Sequence, residues 1–300
     1  MPDGNPGEVW ILVNAASGKG SAPARAATLA RTLKSMDIRS RIICTSDSAQ
    51  GSATVRRAVE EAARAVIACG GDGTVHSIHA PLVDTRIPLG ILPSGSGDDI
   101  AGCLGFTDDV ELLASRVLAD PVSIDVGAIT TDAGVNETFL GIMSSGFDSA
   151  VNQRANRLPR LAGQRYNIAM LQELASFKPI AYRVEVDGIV HEVVGMLIAI
   201  GNGDRYGGGM LVCPGARMND GLLSITILGA MGRSRFVRLF PRVYRGTHVE
   251  HPSVTTLEGR SIRIWADGPV AFADGEYVGP LPVNVGVRPH ALRVLGPVQG

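Results

Sequence analysis

Ala65-Val66-Ile67-Ala68-Cys69-Gly70-Gly71-Asp72-Gly73-Thr74 is the stretch on which the reading of this chain turns. A short apolar run bounded by a turn signal has the length of a strand buried on both faces, as in a parallel sheet. It passes without a break into a turn of glycines and one aspartate. Glycine lets backbone N–H groups approach an anion closely, and a following helix adds the positive end of its dipole. Phosphate binding is one explanation of the turn, with Asp72 orienting metal or nucleotide. A tight strand-to-helix turn with an aspartate cap is the other.

Outward from this turn, strand and helix signals alternate. Val9–Val13, Arg41–Cys44 and Pro88–Leu92 are the other strands; Pro23–Met36, Ala53–Ala63 and Val75–Leu82 are the helices. Such alternation predicts a parallel sheet with helices on both faces, whose ligands bind at the carboxyl ends of the strands. Two more glycine-rich turns fall there. Asn14-Ala15-Ala16-Ser17-Gly18-Lys19-Gly20 closes the first strand but lacks the full spacing of a P-loop. Pro93-Ser94-Gly95-Ser96-Gly97-Asp98-Asp99 closes the fourth, and its aspartate pair equally suits a helix cap.

After Asp125 the pattern changes to short strands: Ser123–Thr130, Thr138–Ser144, Tyr182–Val186, Ile189–Ile200, Leu222–Ile227, Ser261–Ala266, Val283–Val287 and Ala291–Leu295. Asp187-Gly188 and Asn219-Asp220-Gly221 mark hairpins. Helical stretches fall near Phe147–Phe177 and Ser234–Tyr244. The expected architecture is α/β, with an N-terminal parallel-sheet domain over 1–125 and a β-rich, sandwich-like domain over 126–287. A last segment, about 288–300, returns to the first domain. By spacing alone, Asp220 and Ala273-Asp274-Gly275-Glu276 read as turns.

Composition narrows the class. The chain is 45% hydrophobic and 19% charged with net charge −1, which argues against nucleic acid as a partner. The start Met1-Pro2-Asp3-Gly4-Asn5-Pro6 lacks the marks of a signal peptide, and no apolar run could span a bilayer. Cys44, Cys69, Cys103 and Cys213 are expected to be buried free thiols of a cytoplasmic protein.

Taken together, Gly70–Thr74, Pro93–Ala101, Gly207–Asp220 and Asp274–Glu276 resemble, in order and spacing, the diacylglycerol kinase-like lipid kinases, a family that includes bacterial soluble kinases and sphingosine-kinase relatives. The resemblance implies ATP- and Mg²⁺-dependent phosphorylation of a lipid hydroxyl, diacylglycerol first among the substrates. It implies ATP contacts at Asn14, Ala15, Ala16, Ser17, Gly18, Thr45, Gly70, Gly71, Asp72, Gly73, Thr74, Val75, His76 and Ser96. Asp274 matches the general base, with Glu276 behind it. Asp220, with the Arg217 and Leu222 carbonyls, matches a structural magnesium site. Lys19, Asp99, Asp125 and Asp220 match a charged network tying the domains together. Three positions depart from the family pattern: Ala15 for Pro, Ser96 for Thr, and Asp98 for Asn. The expected location is the cytoplasmic face of a membrane, and the expected partners are the lipid surface and a second copy in a homodimer.

Two rivals share these features. An NAD kinase-like enzyme also uses a Gly-Gly-Asp-Gly-Thr turn with a downstream Asn-Glu pair, and Asn136-Glu137 is present, although a hairpin turn explains it. A non-catalytic lipid- or nucleotide-binding regulator is the other. Lastly, Ser234–Tyr244 places Arg235, Arg238, Arg242 and Arg245 on one helical face and Phe236, Leu239, Phe240 and Val243 on another. That pattern fits a membrane-facing helix or one packed on the β domain.

Overall fold

In a computed structural model of the chain, the structure describes residues 7–14, 20–147, 149–151 and 177–297. Contacts divide the chain into two units. The first joins Met1–Val126, Met218–Asp220 and Pro289–Gly300; the second joins Gly127–Arg217 and Gly221–Arg288.

The first unit is built on parallel strands β1 (Val9–Asn14), β2 (Ser40–Thr45), β3 (Ala65–Gly70) and β4 (Leu89–Pro93). Their order is β4-β3-β1-β2. The strands β3 and β4, and β1 up to Asn14, are apolar because both of their faces are covered. Helix α1 (Ala22–Ser35) starts with a proline in its first turn and buries Ala22, Ala26, Leu29 and Leu33, a spacing of four, three and four. Helix α2 (Ser48–Glu60) begins five residues before the sequence places it, because the Asp47 side chain accepts the Gln50 amide and caps it. Helix α3 (Asp72–His79) likewise starts inside the glycine turn and not at Val75. Two short helices, α4 (Asp99–Cys103) and α5 (Val110–Arg116), were not foreseen. All four cysteines are free, and Cys69 and Cys213 are buried. Cys44 is exposed, against expectation, because β2 is the edge strand and shows much of its surface.

The second unit is antiparallel. Strand β8 (Ile180–Val186) turns at Asp187-Gly188 into the long β9 (Ile189–Gly201). The far half of β9 pairs with β7 (Ile142–Gly146) and with β10 (Leu223–Gly229), which continues to β11 (Val254–Gly259). Strand β12 (Ser261–Trp265) pairs with β8, and β13 (Val270–Ala273) pairs with β7 and with β14 (Glu276–Pro280). The core includes Phe139, Met143, Tyr182, Ile198, Ile225 and Ile264. The hairpin β13–β14 and the strand β11 were missed by the sequence reading. A single strand, β15 (Val283–Val294), replaces the two expected there. The expected strand Thr138–Ser144 is broken in two, β6 (Asn136–Phe139) and β7, at Leu140-Gly141. Most of the expected helix Phe147–Phe177 lies outside the described residues.

Helix α6 (Arg233–Val243) matches the last helical expectation. Its apolar face is packed: Phe236 and Leu239 are buried with Phe147, Met196, Leu228 and Val254. Of the two fits the sequence left open, packing takes the apolar face.

Candidate functional site

The first unit brings the end of β1 and the glycine-rich turns that follow β3 and β4 to one edge of the sheet. Asn14 ends β1 beside Thr45 at the end of β2, and Gly70 ends β3 beside Pro93 at the end of β4. All four are carboxyl ends. Order 2-1-3-4 also puts a topological switch point between β1 and β3, where open α/β sheets hold their ligands.

Gly71 caps α3 in an extended conformation, φ −96°, and Asp72 is the first helical residue. A Cβ on Gly71 would lie 2.9 Å from the Gly95 Cα; one on Gly95 would lie 2.6 Å from the Gly71 Cα. The two turns therefore cross backbone against backbone, and only glycine fits at the crossing. Around it stand Asp72, Asp98 and Asp99. The Asp72 Oδ1 accepts the Ile100 amide at 2.9 Å, fixing the start of α4 to the start of α3. Burial pushes the Asp72 carboxyl above its ordinary range, opposed by the Ile100 and Asp99 amides and reinforced by the charges of Asp99 and Asp98.

Asp98 sits in the left-handed region, φ 54°, and its carboxylate accepts the Gly95 amide at 2.8 and 3.0 Å. Asn and Asp tolerate that backbone better than other residues with a side chain, and both offer an oxygen to the amide. The local geometry thus suits Asp as well as the Asn that the family resemblance implies here. Burial raises its carboxyl, while the Gly95 amide and the Arg25 charge pull it back. Arg25, on α1, also donates to the Pro93 carbonyl and, at 2.9 Å, to the Asp108 carbonyl. Sequence reasoning missed Arg25, since one arginine on a helix gives no local signal of what it reaches.

Of the other expected nucleotide contacts, Thr45 is buried with its Oγ1 3.5 Å from the Val13 carbonyl, and Ser96 is exposed. The Val75 side chain is buried in the core, so only its backbone could meet a ligand. His76 is half-buried, and its carbonyl accepts from or faces the His79 Nδ1 at 2.8 Å. Ala15, Ala16, Ser17, Gly18 and Lys19 lie outside the described residues. Asp125 is fully buried; its Oδ1 accepts the His290 amide at 2.7 Å, and its own amide donates to the Met218 carbonyl at 2.7 Å. These bonds join three chain segments of the first unit. Asp99 and Asp220 belong to the same unit. Asp220 lies in the turn through Met218–Asp220, flanked in sequence by Arg217 and Leu222. Among the described residues no group of three or more His, Cys, Asp or Glu could by itself hold a metal ion.

In the second unit, Asp274 and Gly275 are the two central residues of the β13–β14 turn, with φ 51° and 88°. Positive φ at both positions defines a type I′ hairpin turn. The Asp274 carboxylate accepts the Leu140 amide at 2.9 Å on Oδ2 and the Gly141 amide at 2.8 Å on Oδ1. This is where the expected strand breaks: Leu140 and Gly141 leave the ladder and give their amides to Asp274. Asn202, fully buried, steadies that loop; its Nδ2 donates to the Leu140 carbonyl at 2.9 Å and its amide to the Gly141 carbonyl at 2.9 Å. Glu276 is exposed at the first position of β14. Asn136 is engaged within the β5 (Val122–Thr131)–β6 hairpin, its Oδ1 accepting from Thr130 at 3.2 Å.

Residues 8–129 match the model of the diacylglycerol kinase catalytic domain, and residues 141–296 match the YegS C-terminal NAD kinase beta sandwich-like domain. A diacylglycerol kinase of Mycobacterium tuberculosis (strain ATCC 25618 / H37Rv) is 37% identical over 298 residues, covering 98% of this chain and 96% of its own. A probable lipid kinase, YegS-like, of Chromohalobacter salexigens is 30% identical over 235 residues, 76% of this chain and 73% of that one. The crystal structure of a diacylglycerol kinase from Bacillus anthracis str. Sterne superposes with a TM-score of 0.72 over 98% of both chains at 18% identity, a likeness of fold.

Proposed function

The chain belongs to the diacylglycerol kinase-like family of lipid kinases, and from that premise we propose that it transfers the γ-phosphate of ATP to the hydroxyl of diacylglycerol, giving phosphatidic acid. The observation that carries the nucleotide half is the crossing of Gly71 and Gly95 at the carboxyl edge of the sheet. A helix's first amides have no acceptor within the helix, and Gly71 puts no side chain of its own at the start of α3, where a phosphate would approach. Asn14, Thr45, Gly70 to His76 and Ser96 are the contacts this reading assigns.

Phosphoryl transfer asks mainly for positioning and charge neutralisation. Mg²⁺ fits the donors present: it takes one or two carboxylates together with phosphate oxygens and water, not a full protein cage. Asp72, with Asp99 and Asp98 near enough for their charges to act on its carboxyl, would supply one or two of these carboxylates. Mg²⁺ would neutralise charge on the transferring phosphoryl group. Asp220, with the Arg217 and Leu222 carbonyls, would hold a structural cation.

Asp274 is the base in this reading. Two amides fix its carboxylate in place, and a carboxylate is the group that can take up the proton of an incoming hydroxyl. The lipid oxygen bonds to the γ-phosphorus, the bond to the β,γ-bridging oxygen breaks, ADP leaves, and the hydroxyl proton passes to Asp274. Asn202 positions the loop that holds it, and Glu276 supports the site from the next strand.

The test supplies γ-labelled ATP with diacylglycerol in mixed micelles, and with NAD in a parallel reaction. Label in a chloroform-soluble product, lost on chelation of Mg²⁺, is expected. Label in NAD alone would overturn the proposal in favour of an NAD kinase-like enzyme. No turnover on a panel of lipids would favour a regulator.

A further inference from the structure

The outer face of α6 carries charge that nothing in the proposed reaction uses. Arg233, Arg235 and Arg238 on the helix and Arg245 just beyond it are all exposed. No acidic residue occurs between Met231 and Val249, in a chain whose overall net charge is −1. The fifth arginine, Arg242, is turned aside, donating to the Thr247 carbonyl and to Glu250 at 2.8 Å. Two large apolar side chains stand among the exposed arginines: Val237 is 54% exposed and Tyr244 is 49% exposed.

We propose that this outer face is a docking surface for an anionic lipid bilayer. The amphipathic insertion suggested by the sequence pattern is closed, because Phe236 and Leu239 are committed to the unit's own core. What remains is an arginine face held rigidly by that packing. Basic side chains are drawn to the negative surface of a bilayer, each worth about fivefold in partitioning. Tyrosine suits the headgroup level, with an apolar body and a polar tip, and Val237 adds an apolar contact beside it. Nucleic acid would also attract arginines, but one exposed valine and one tyrosine interleaved with them favour the lipid interface.

The proposal deepens the lipid kinase reading by giving the enzyme a way to reach a bilayer-borne substrate. Its test needs neither ATP nor turnover, so failure of docking and failure of the kinase reading are told apart. The full chain is sedimented with phosphatidylcholine vesicles that contain or lack phosphatidylglycerol. Binding is expected only with phosphatidylglycerol, and release is expected at about 1 M salt, where the screening length falls to a few ångströms. Arg235→Glu with Arg238→Glu should lower partitioning by roughly 25-fold or more. Val237→Ser with Tyr244→Ser should lower it several-fold, both with wild-type melting temperature and with wild-type turnover on detergent-dispersed diacylglycerol. Equal binding to neutral vesicles would overturn the proposal. So would undiminished binding by a folded variant with Arg233, Arg235, Arg238 and Arg245 all changed to Glu, or loss of RNA binding by that variant while vesicle binding persists.

Discussion

Glycine answers two different needs in the two units. At Gly71 and Gly95 the need is space, since a Cβ on either would strike the other's backbone within 3 Å, and neither has a left-handed backbone. At Gly188 and Gly275 the need is conformation: φ is 86° and 88°, and nothing stands within 4 Å of where a Cβ would go. A glycine kept for space marks a place where chains, or a chain and a ligand, come close; one kept for φ marks a turn.

The second unit sharpens the lesson, because it contains the same aspartate device twice. Asp187-Gly188 and Asp274-Gly275 are both type I′ turns with the aspartate at positive φ, 47° and 51°. Both carboxylates collect two successive backbone amides: Arg260 and Ser261 at 3.0 and 2.9 Å for Asp187, Leu140 and Gly141 for Asp274. Amide capture therefore does not identify a catalytic carboxylate. Asp187 differs in being exposed, and in lying outside the segments that match the family's motif.

The largest expected effect breaks or confirms that distinction. In Asp274, where each oxygen takes one amide, replacement by Asn turns an NH₂ toward a backbone donor and loses one hydrogen bond, costing about 1 kcal/mol of stability. In Asp187, Oδ1 accepts both amides and an Asn oxygen there keeps them. The melting temperature should thus fall for Asp274→Asn and change less for Asp187→Asn, with neither variant unfolded. Turnover should separate them far more: Asp274→Asn is expected to lose roughly 10²–10⁴-fold with ATP binding retained, and Asp187→Asn to stay within a few-fold. Equal turnover of the two variants would sink the base assignment.

Next in size is the contrast between the two kinds of glycine. Gly71→Val should raise the apparent ATP constant by about tenfold or more and abolish thermal protection by ATP, because the crossing must open. Gly188→Val should cost about 1–2 kcal/mol through its left-handed backbone and leave the ATP constant unchanged. An unaltered ATP constant in folded Gly71→Val would remove the phosphate role from the crossing.

The smallest effect concerns Asp98. Its carboxyl is raised above the ordinary 3.8, chiefly by burial, so folding disfavours the charged form. Stability contributed by this group is present below pH 3.8 and is lost as pH rises through the higher folded value. Asp98→Asn removes that loss while keeping an acceptor for the Gly95 amide. Its melting temperature relative to wild type should rise by at most a few degrees between acid and neutral pH, an effect muted by partial solvent exposure. A variant that instead loses ground as pH rises would show that the charge is favourably paired.

The α/β class, the four parallel strands and the glycine turns after β3 and β4 were legible because each signal is local: an apolar run of strand length, then, at these two, glycines. The start of α2 was misread because the cap, Asp47, precedes the apolar pattern it serves. The Val270–Ala273 strand is four residues long, too short for periodicity to speak. Around the candidate base, the turn Asp274-Gly275 was read correctly as a turn, while the loop that holds it was read as unbroken strand, with Gly141 the one local hint.

By itself the sequence determined the period of β1, β3, β4, α1 and α6, the residue types at the sheet edge, and the order of motifs that marks the family. Only the tertiary structure decided that Gly71 meets Gly95, that Arg25 reaches the Pro93 turn, that Leu140 and Gly141 serve Asp274, and that the apolar face of α6 is occupied. Propensity and periodicity act between near neighbours in the chain. These contacts join residues 24, 68, 134 and 133 positions apart, or set a helix against strands from elsewhere, and such pairings are selected by packing and by the need of each buried polar group for a partner.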